Sequence, residues 1–149
     1  MKARILITET CNRHCNGCCN TYPLIMANAQ YISNLTRLPS DLSELMITGG
    51  EPMLFPDKTE GISRELRGRF PASKLYLYSA LYHNRLKDII PLLDVFHYTI
   101  HEGATRGDVK LLDKLQTLLQ AKKENWKDKS FRLYIDNRVD LTVNVLPNI

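Results

Sequence analysis

The chain has 149 residues, enough for one domain built around a single hydrophobic core. Hydrophobic residues make up 44% and charged residues 24%, and the apolar runs fall far short of the ~20 residues that span a bilayer. The net charge of +4 is mild and scattered, so the composition indicates neither a membrane protein nor a nucleic-acid-binding protein. The N-terminus has no signal-peptide pattern, so we expect a cytoplasmic protein.

Strand-like and helix-like segments alternate along the chain. Strands are predicted over residues 3–8, 44–48, 74–79, 95–101, 131–136 and 141–145. Helices are predicted over residues 28–38, 57–70, 84–90 and from Thr105 or Asp108 to Leu119, with Asp57 and Glu60 as a capping box for the second. This alternation predicts an α/β fold, an open partial β/α barrel of about six mostly parallel strands.

The connection between the last two predicted strands breaks this pattern. Only about four residues, centred on Asn137 and Arg138, separate them. A parallel crossover needs roughly a dozen residues or more. We therefore expect an antiparallel return there, or one irregular extended segment.

Ligands of such folds gather at the carboxyl ends of the strands. Chemistry is therefore expected just after Thr8, Thr48, Ser79 and His101. A segment rich in cysteine follows the first of these positions, and Gly-Gly-Glu-Pro follows the second. Two independent features of the sequence thus indicate one edge of one sheet.

The segment Cys11–Asn20, called the cysteine loop below, contains all four cysteines of the chain. Cys11, Cys15 and Cys18 have the spacing C-x3-C-x2-C. Three thiolates on a short loop suit a [4Fe–4S] cluster and leave one iron open for another ligand. Cys19 would complete a four-cysteine zinc site, but such sites usually pair two C-x2-C units, so we expect a structural or reactive thiol there.

Together, the cysteine loop after a first strand and Gly-Gly-Glu-Pro after a second resemble the radical S-adenosylmethionine (radical SAM) enzymes. The resemblance implies that the open iron chelates the amino and carboxylate groups of SAM, which is cleaved to a 5′-deoxyadenosyl radical that abstracts hydrogen from a substrate. It also implies that one segment binds the SAM amino group: Gly49, Gly50, Glu51 and Pro52. Physically, the glycines let backbone carbonyls approach an ammonium, and Glu51 offers a charged acceptor. The cluster and SAM carry the chemistry, so no protein acid or base is assigned.

Further candidates follow from side-chain alternation. His97, Thr99 and His101 share the polar face of their predicted strand, which should look into the cleft while the apolar face meets helices. In the resembled family the fourth strand often contacts SAM, which adds Thr99 and His101 as cofactor-binding candidates, with Ser79 as a weaker one. A second polar face, on the strand over residues 131–136, could meet the substrate or water: Arg132, Tyr134 and Asp136.

The interior of the cysteine loop bears on the subtype. Gly17 stands where many radical SAM enzymes carry an aromatic residue, and Cys15–Asn20 resembles the loop of anaerobic ribonucleotide reductase activases. This favours a protein or peptide substrate. The alternatives are a small-molecule enzyme of the 7-carboxy-7-deazaguanine synthase type and a non-catalytic iron–sulfur or zinc module.

The resemblance also bears on domain organisation and partners. No second cysteine cluster follows, so residues 1–149 are expected to form one minimal radical SAM domain without an auxiliary cluster or a C-terminal cap. An electron donor of the flavodoxin or ferredoxin type is expected as a partner.

Overall fold

The computed structural model describes residues 1–29 and 34–139. The strands are β1 (Lys2–Leu6), β2 (Glu44–Thr48), β3 (Lys74–Ser79), β4 (Val95–Ile100) and β5 (Ser130–Ile135). The helices are α1 (Pro23–Ala27), α2 (Pro56–Arg69), α3 (Leu86–Ile89) and α4 (Arg106–Ala121). Short 3-10 helices lie at Cys19–Thr21, Leu35–Arg37, Pro52–Leu54 and Ile90–Leu92.

The five strands form one open sheet in the order β1-β2-β3-β4-β5, and every neighbouring pair is parallel. This confirms the α/β fold with interleaved helices. The predicted sixth strand, residues 141–145, lies outside the described residues, and so does the proposed antiparallel return. Of the helix predicted over 28–38, residues 30–33 also lie outside, and the described remainder forms only the 3-10 helix Leu35–Arg37.

One face of the sheet packs against the helices and forms the core. Successive strands contribute alternate residues that are almost fully buried, as the period of two requires: Leu45, Ile47, Leu75, Leu77, Phe96, Tyr98 and Ile100. Phe96 and Tyr98 face Leu112 and Leu115 of α4 across a small apolar gap. The prediction that the apolar face of this strand meets helices is therefore confirmed.

The start of α2 differs from the prediction. The helix begins at Pro56, whose fixed φ suits the first helical position, and Phe55 precedes it without any side-chain cap. Asp57 lies in the first turn and pairs with Arg85 at 3.3 Å, and Glu60 pairs with Arg64 at 2.8 Å. The predicted capping box of Asp57 and Glu60 is therefore wrong, since proline moves the start upstream.

The opposite face of the sheet is called the open face below, since none of the described helices forms a layer over it. It carries the alternate side chains of the five strands: Arg4, Met46, Thr48, Tyr76, Tyr78, His97, Thr99, Arg132 and Tyr134. Within the described ranges, no helix is both long and apolar enough to cross a membrane.

Candidate functional site

The Gly-Gly-Glu-Pro segment is joined to the root of the cysteine loop by backbone hydrogen bonds. Gly50 N donates to Thr8 O at 2.7 Å, and Glu51 N donates to Thr10 O at 2.8 Å. These bonds continue the parallel pairing of β1 with β2 beyond the ends of both strands. The sheet itself therefore brings the two motifs together, as their positions after adjacent strands predicted.

The two glycines permit this close approach. Gly49 has a φ of +147°, and a Cβ atom added there would lie 2.5 Å from Thr8 O. A Cβ atom at Gly50 would overlap the carbonyl of Thr10. A side chain at either position would push the segment away from the cysteine loop, so the geometry explains both glycines without any ligand.

The far end of the cysteine loop also reaches this segment. The Asn20 side-chain amide donates to Gly49 O, and Arg4 donates to Asn20 Oδ1 at 2.8 Å. Arg4 also approaches Cys19 Sγ at 2.9 Å and Thr48 Oγ1 at 3.4 Å. The loop thus folds over the open face beside β1 and β2, and Asn20 ties its end to the glycine segment.

Glu51 is a buried carboxylate, 3% exposed, with three hydrogen-bond donors around it. Its Oε1 accepts from Met53 N at 2.8 Å and from Ser79 Oγ at 2.7 Å, and its Oε2 accepts from Ala80 N at 2.8 Å. Burial raises the pKa of Glu51, although these hydrogen bonds oppose the rise. The structure thus places Ser79, another candidate, directly against Glu51, and the pair joins the ends of β2 and β3.

The three thiols of the C-x3-C-x2-C spacing lie near one another. Burial and the neighbouring Cys11 and Cys18 thiols raise the pKa of Cys15. All four cysteines are free, and Cys11 and Cys19 are exposed. Among residues 1–29 and 34–139, no three metal-ligating side chains converge on a point that could hold a single ion. In a four-iron cluster each thiolate binds a different iron, so three free thiols on one loop match the ligand set that such a cluster needs.

Arg13, within the cysteine loop, forms an ion pair that the sequence did not predict. Its guanidinium binds Asp108 in the first turn of α4, with the two side chains 15% and 13% exposed. Asp108 also completes a capping box with Thr105. Burial opposes ionisation of Asp108, but hydrogen bonds from Thr105 and Arg13 outweigh it and lower its pKa. The cysteine loop is therefore held at a second point, across the carboxyl edge.

The two β4 candidates have different surroundings. Thr99 lies on the open face and is half-buried. His101 follows the strand, and burial together with the nearby Arg13 charge lowers its pKa, against the opposing charge of Asp136. The structure thus brings His101 towards the cysteine loop, whereas Thr99 lies one pleat back along the strand.

A scan of protein-family models finds no match to this chain. A search of curated proteins finds none either.

Proposed function

We propose that this chain is a radical SAM enzyme, in which Cys11, Cys15 and Cys18 hold a [4Fe–4S] cluster and Gly49–Pro52 receives the amino group of SAM. The observation that carries the proposal is the direct hydrogen bonding of the glycine segment to Thr8 and Thr10, just before the cysteine loop, and to Asn20, at its end. Neither motif alone is specific. Their contact at the carboxyl edge of a parallel sheet, where ligands of α/β folds bind, supports a shared site.

The residues of this chain bind and orient the cofactors. We assign the carbonyl oxygens of Gly49 and Gly50 as acceptors for the SAM ammonium, which has three donors and no acceptor. Gly49 O uses one of its two lone pairs for Asn20. Glu51 is buried and each of its oxygens already accepts a hydrogen bond, so it acts on the ammonium by its charge and by fixing the segment that presents these carbonyls. Ser79 supports Glu51, while Thr99 and His101 remain candidates for the rest of SAM.

When bound, the cluster and SAM supply a 5′-deoxyadenosyl radical by one-electron cleavage of the sulfonium, and this radical takes a hydrogen atom from the substrate.

In this proposal the sheet is part of an open β/α barrel of about six strands, with the open face as its inner wall. Because none of the described helices covers this inner wall, it suits a large substrate, so we place a protein or peptide first. The partner that delivers the electron is a flavodoxin or ferredoxin, and four free thiols suit the reducing cytoplasm.

Anaerobic reconstitution with iron and sulfide tests the proposal. We expect about four irons per chain and conversion of SAM to 5′-deoxyadenosine in the presence of dithionite. The Cys15→Ala variant should lose the cluster, whereas Cys19→Ala, its matched control on the same loop, should keep it. Glu51→Ala should keep the cluster and weaken SAM binding. A cluster that never cleaves SAM would leave only an electron-transfer or sensing module, and a single bound zinc would leave a zinc module.

A further inference from the structure

A row of stacked rings crosses the open face. The His97 imidazole lies between Tyr78, at a centroid distance of 4.2 Å and an angle of 15°, and Tyr134, at 5.5 Å and 3°. Tyr76 adds a tilted contact at 6.0 Å. The rings come from β3, β4 and β5, so the row runs across three strands. Tyr78 and Tyr134 remain 36% and 50% exposed, which leaves ring surface for a ligand.

His97 is the buried polar centre of this row. It is 3% exposed, and neither of its ring nitrogens has a hydrogen-bond partner among the described residues. Burial and the Arg132 charge lower the pKa of His97, so its ring is neutral at pH 7, with one N–H donor and one acceptor. Buried polar groups in proteins are nearly always paired, so this histidine indicates a polar partner that the described chain does not supply.

Arg132 adds a free positive charge beside the row. It is exposed and stands directly opposite His97 in the pairing of β4 with β5. Within the described part of the chain, Arg132 has no ion-pair partner. By contrast, Lys2, a basic residue on the first strand of the same sheet, pairs with Glu44 at 3.1 Å. The planar fork of a guanidinium matches the two-oxygen geometry of a carboxylate, and here it stands beside an aromatic surface that a flat ring could cover.

We infer that Arg132, His97 and the flanking tyrosines bind the substrate, and that this substrate carries a carboxylate next to a flat ring. Arg132 holds the carboxylate, the His97 N–H donates to it, and the ring packs on the exposed side of Tyr134 or Tyr78. The side chains of Arg132 and Tyr134 must move aside before a ligand can reach the His97 ring. Exposed side chains change rotamer in picoseconds to nanoseconds. Two kinds of ligand carry a carboxylate next to a flat ring: a small aromatic acid, and a peptide with an aromatic residue at its carboxyl terminus.

The position of the row relative to the cysteine loop supports this role. Arg4, on the same face of the sheet, contacts Cys19 and Asn20 of the loop. A ligand on the ring row therefore lies on the side of the sheet where the proposed radical forms. This inference rests on the proposed function for its catalytic meaning, but the binding that it predicts does not depend on SAM cleavage.

Calorimetric titration of the full chain, before and after anaerobic reconstitution, tests the inference. The probes are indole-3-carboxylate and the peptide Gly-Gly-Tyr, each compared with its carboxamide. We expect at least one acid to bind tenfold or more tightly than its amide. Arg132→Gln should remove that preference, and Tyr134→Leu should weaken both forms by a similar factor. Arg64→Gln removes an exposed guanidinium from α2 and should change nothing.

The outcomes separate the two proposals. Equal binding of acid and amide, no binding of any probe, or a preference that survives Arg132→Gln would overturn the inference, even in a chain that cleaves SAM. Acid-selective binding that depends on Arg132 in a chain that never cleaves SAM would keep the site and reject the radical SAM assignment. The free acid and the peptide distinguish the small-molecule source from the polypeptide source, and circular dichroism verifies that each variant is folded.

Discussion

Glu51 connects the proposed cofactor segment with the neighbouring strand through a carboxylate that is almost fully enclosed. The sequence could mark this residue from its Gly-Gly-Glu-Pro context. It could not predict the hydrogen bond to Ser79, which lies 28 residues away and becomes a neighbour only when β2 pairs with β3. Because the sequence does not show this pairing, it marks Ser79 only as a weak candidate. The structure places Ser79 directly against the Glu51 carboxylate.

The raised pKa of Glu51 predicts a pH-dependent stability. A carboxyl group whose pKa is higher in the folded chain binds its proton more tightly there, so its contribution falls as pH rises from the usual carboxyl range through the raised value. Between pH 4 and pH 8, the unfolding free energy of the unmodified chain should therefore drop relative to that of Glu51→Gln. Urea denaturation at both pH values measures this change. Glu65→Gln, at an exposed site on α2, should follow the unmodified chain, and parallel curves for Glu51→Gln would contradict the assignment.

At the scale of the elements, the contact between the glycine segment and the cysteine loop depends on the absence of side chains. A methyl group at Gly50 would overlap the Thr10 carbonyl, whereas one at Gly61, within α2, would meet nothing within 4 Å beyond its own stretch of helix. Gly50→Ala should therefore lower the unfolding free energy by about 2 kcal/mol or more, through forced backbone movement. Gly61→Ala should raise it by about 0.5–1 kcal/mol, because alanine favours helix. Thermal unfolding of both variants measures the contrast. If Gly50→Ala left the unfolding free energy unchanged, the two segments would not be in contact.

The ion pair between Arg13 and Asp108 joins two elements that are 95 residues apart in the chain. Sequence patterns predicted the helix start, since Thr105 was one of two suggested first residues and is its cap. The same patterns could not predict that Arg13 pairs with Asp108, because no residue spacing relates a single arginine in a loop to a distant carboxylate. Local chemistry is thus readable from the sequence, whereas pairing across the carboxyl edge depends on the fold.

A double-mutant cycle tests this connection. Arg13→Gln and Asp108→Asn should show a coupling energy of about 1–3 kcal/mol in the cluster-free chain, because both side chains are largely buried. The more exposed pair Lys2 and Glu44 serves as the control and should couple by less than about 1 kcal/mol. Equal coupling in the two cycles would show that the cysteine loop is not held by this ion pair.

At the scale of the whole molecule, alternation of strands and helices was sufficient to predict a parallel α/β sheet. The five described strands lie where the apolar β-rich runs predicted them, within one or two residues at each end. The ring row was harder to foresee. Alternation placed His97 on a polar face, but the register of three strands is needed to bring Tyr78 and Tyr134 against it.

The central claim is that three thiolates leave one iron of a four-iron cluster open to SAM. Electron paramagnetic resonance of the reduced, reconstituted chain, recorded with and without SAM, tests it most directly. We predict that SAM changes the cluster signal, that the change weakens in Glu51→Ala, and that Cys19→Ala behaves like the unmodified chain. A four-iron signal that is identical with and without saturating SAM would contradict the account, since no iron would then be open to the cofactor.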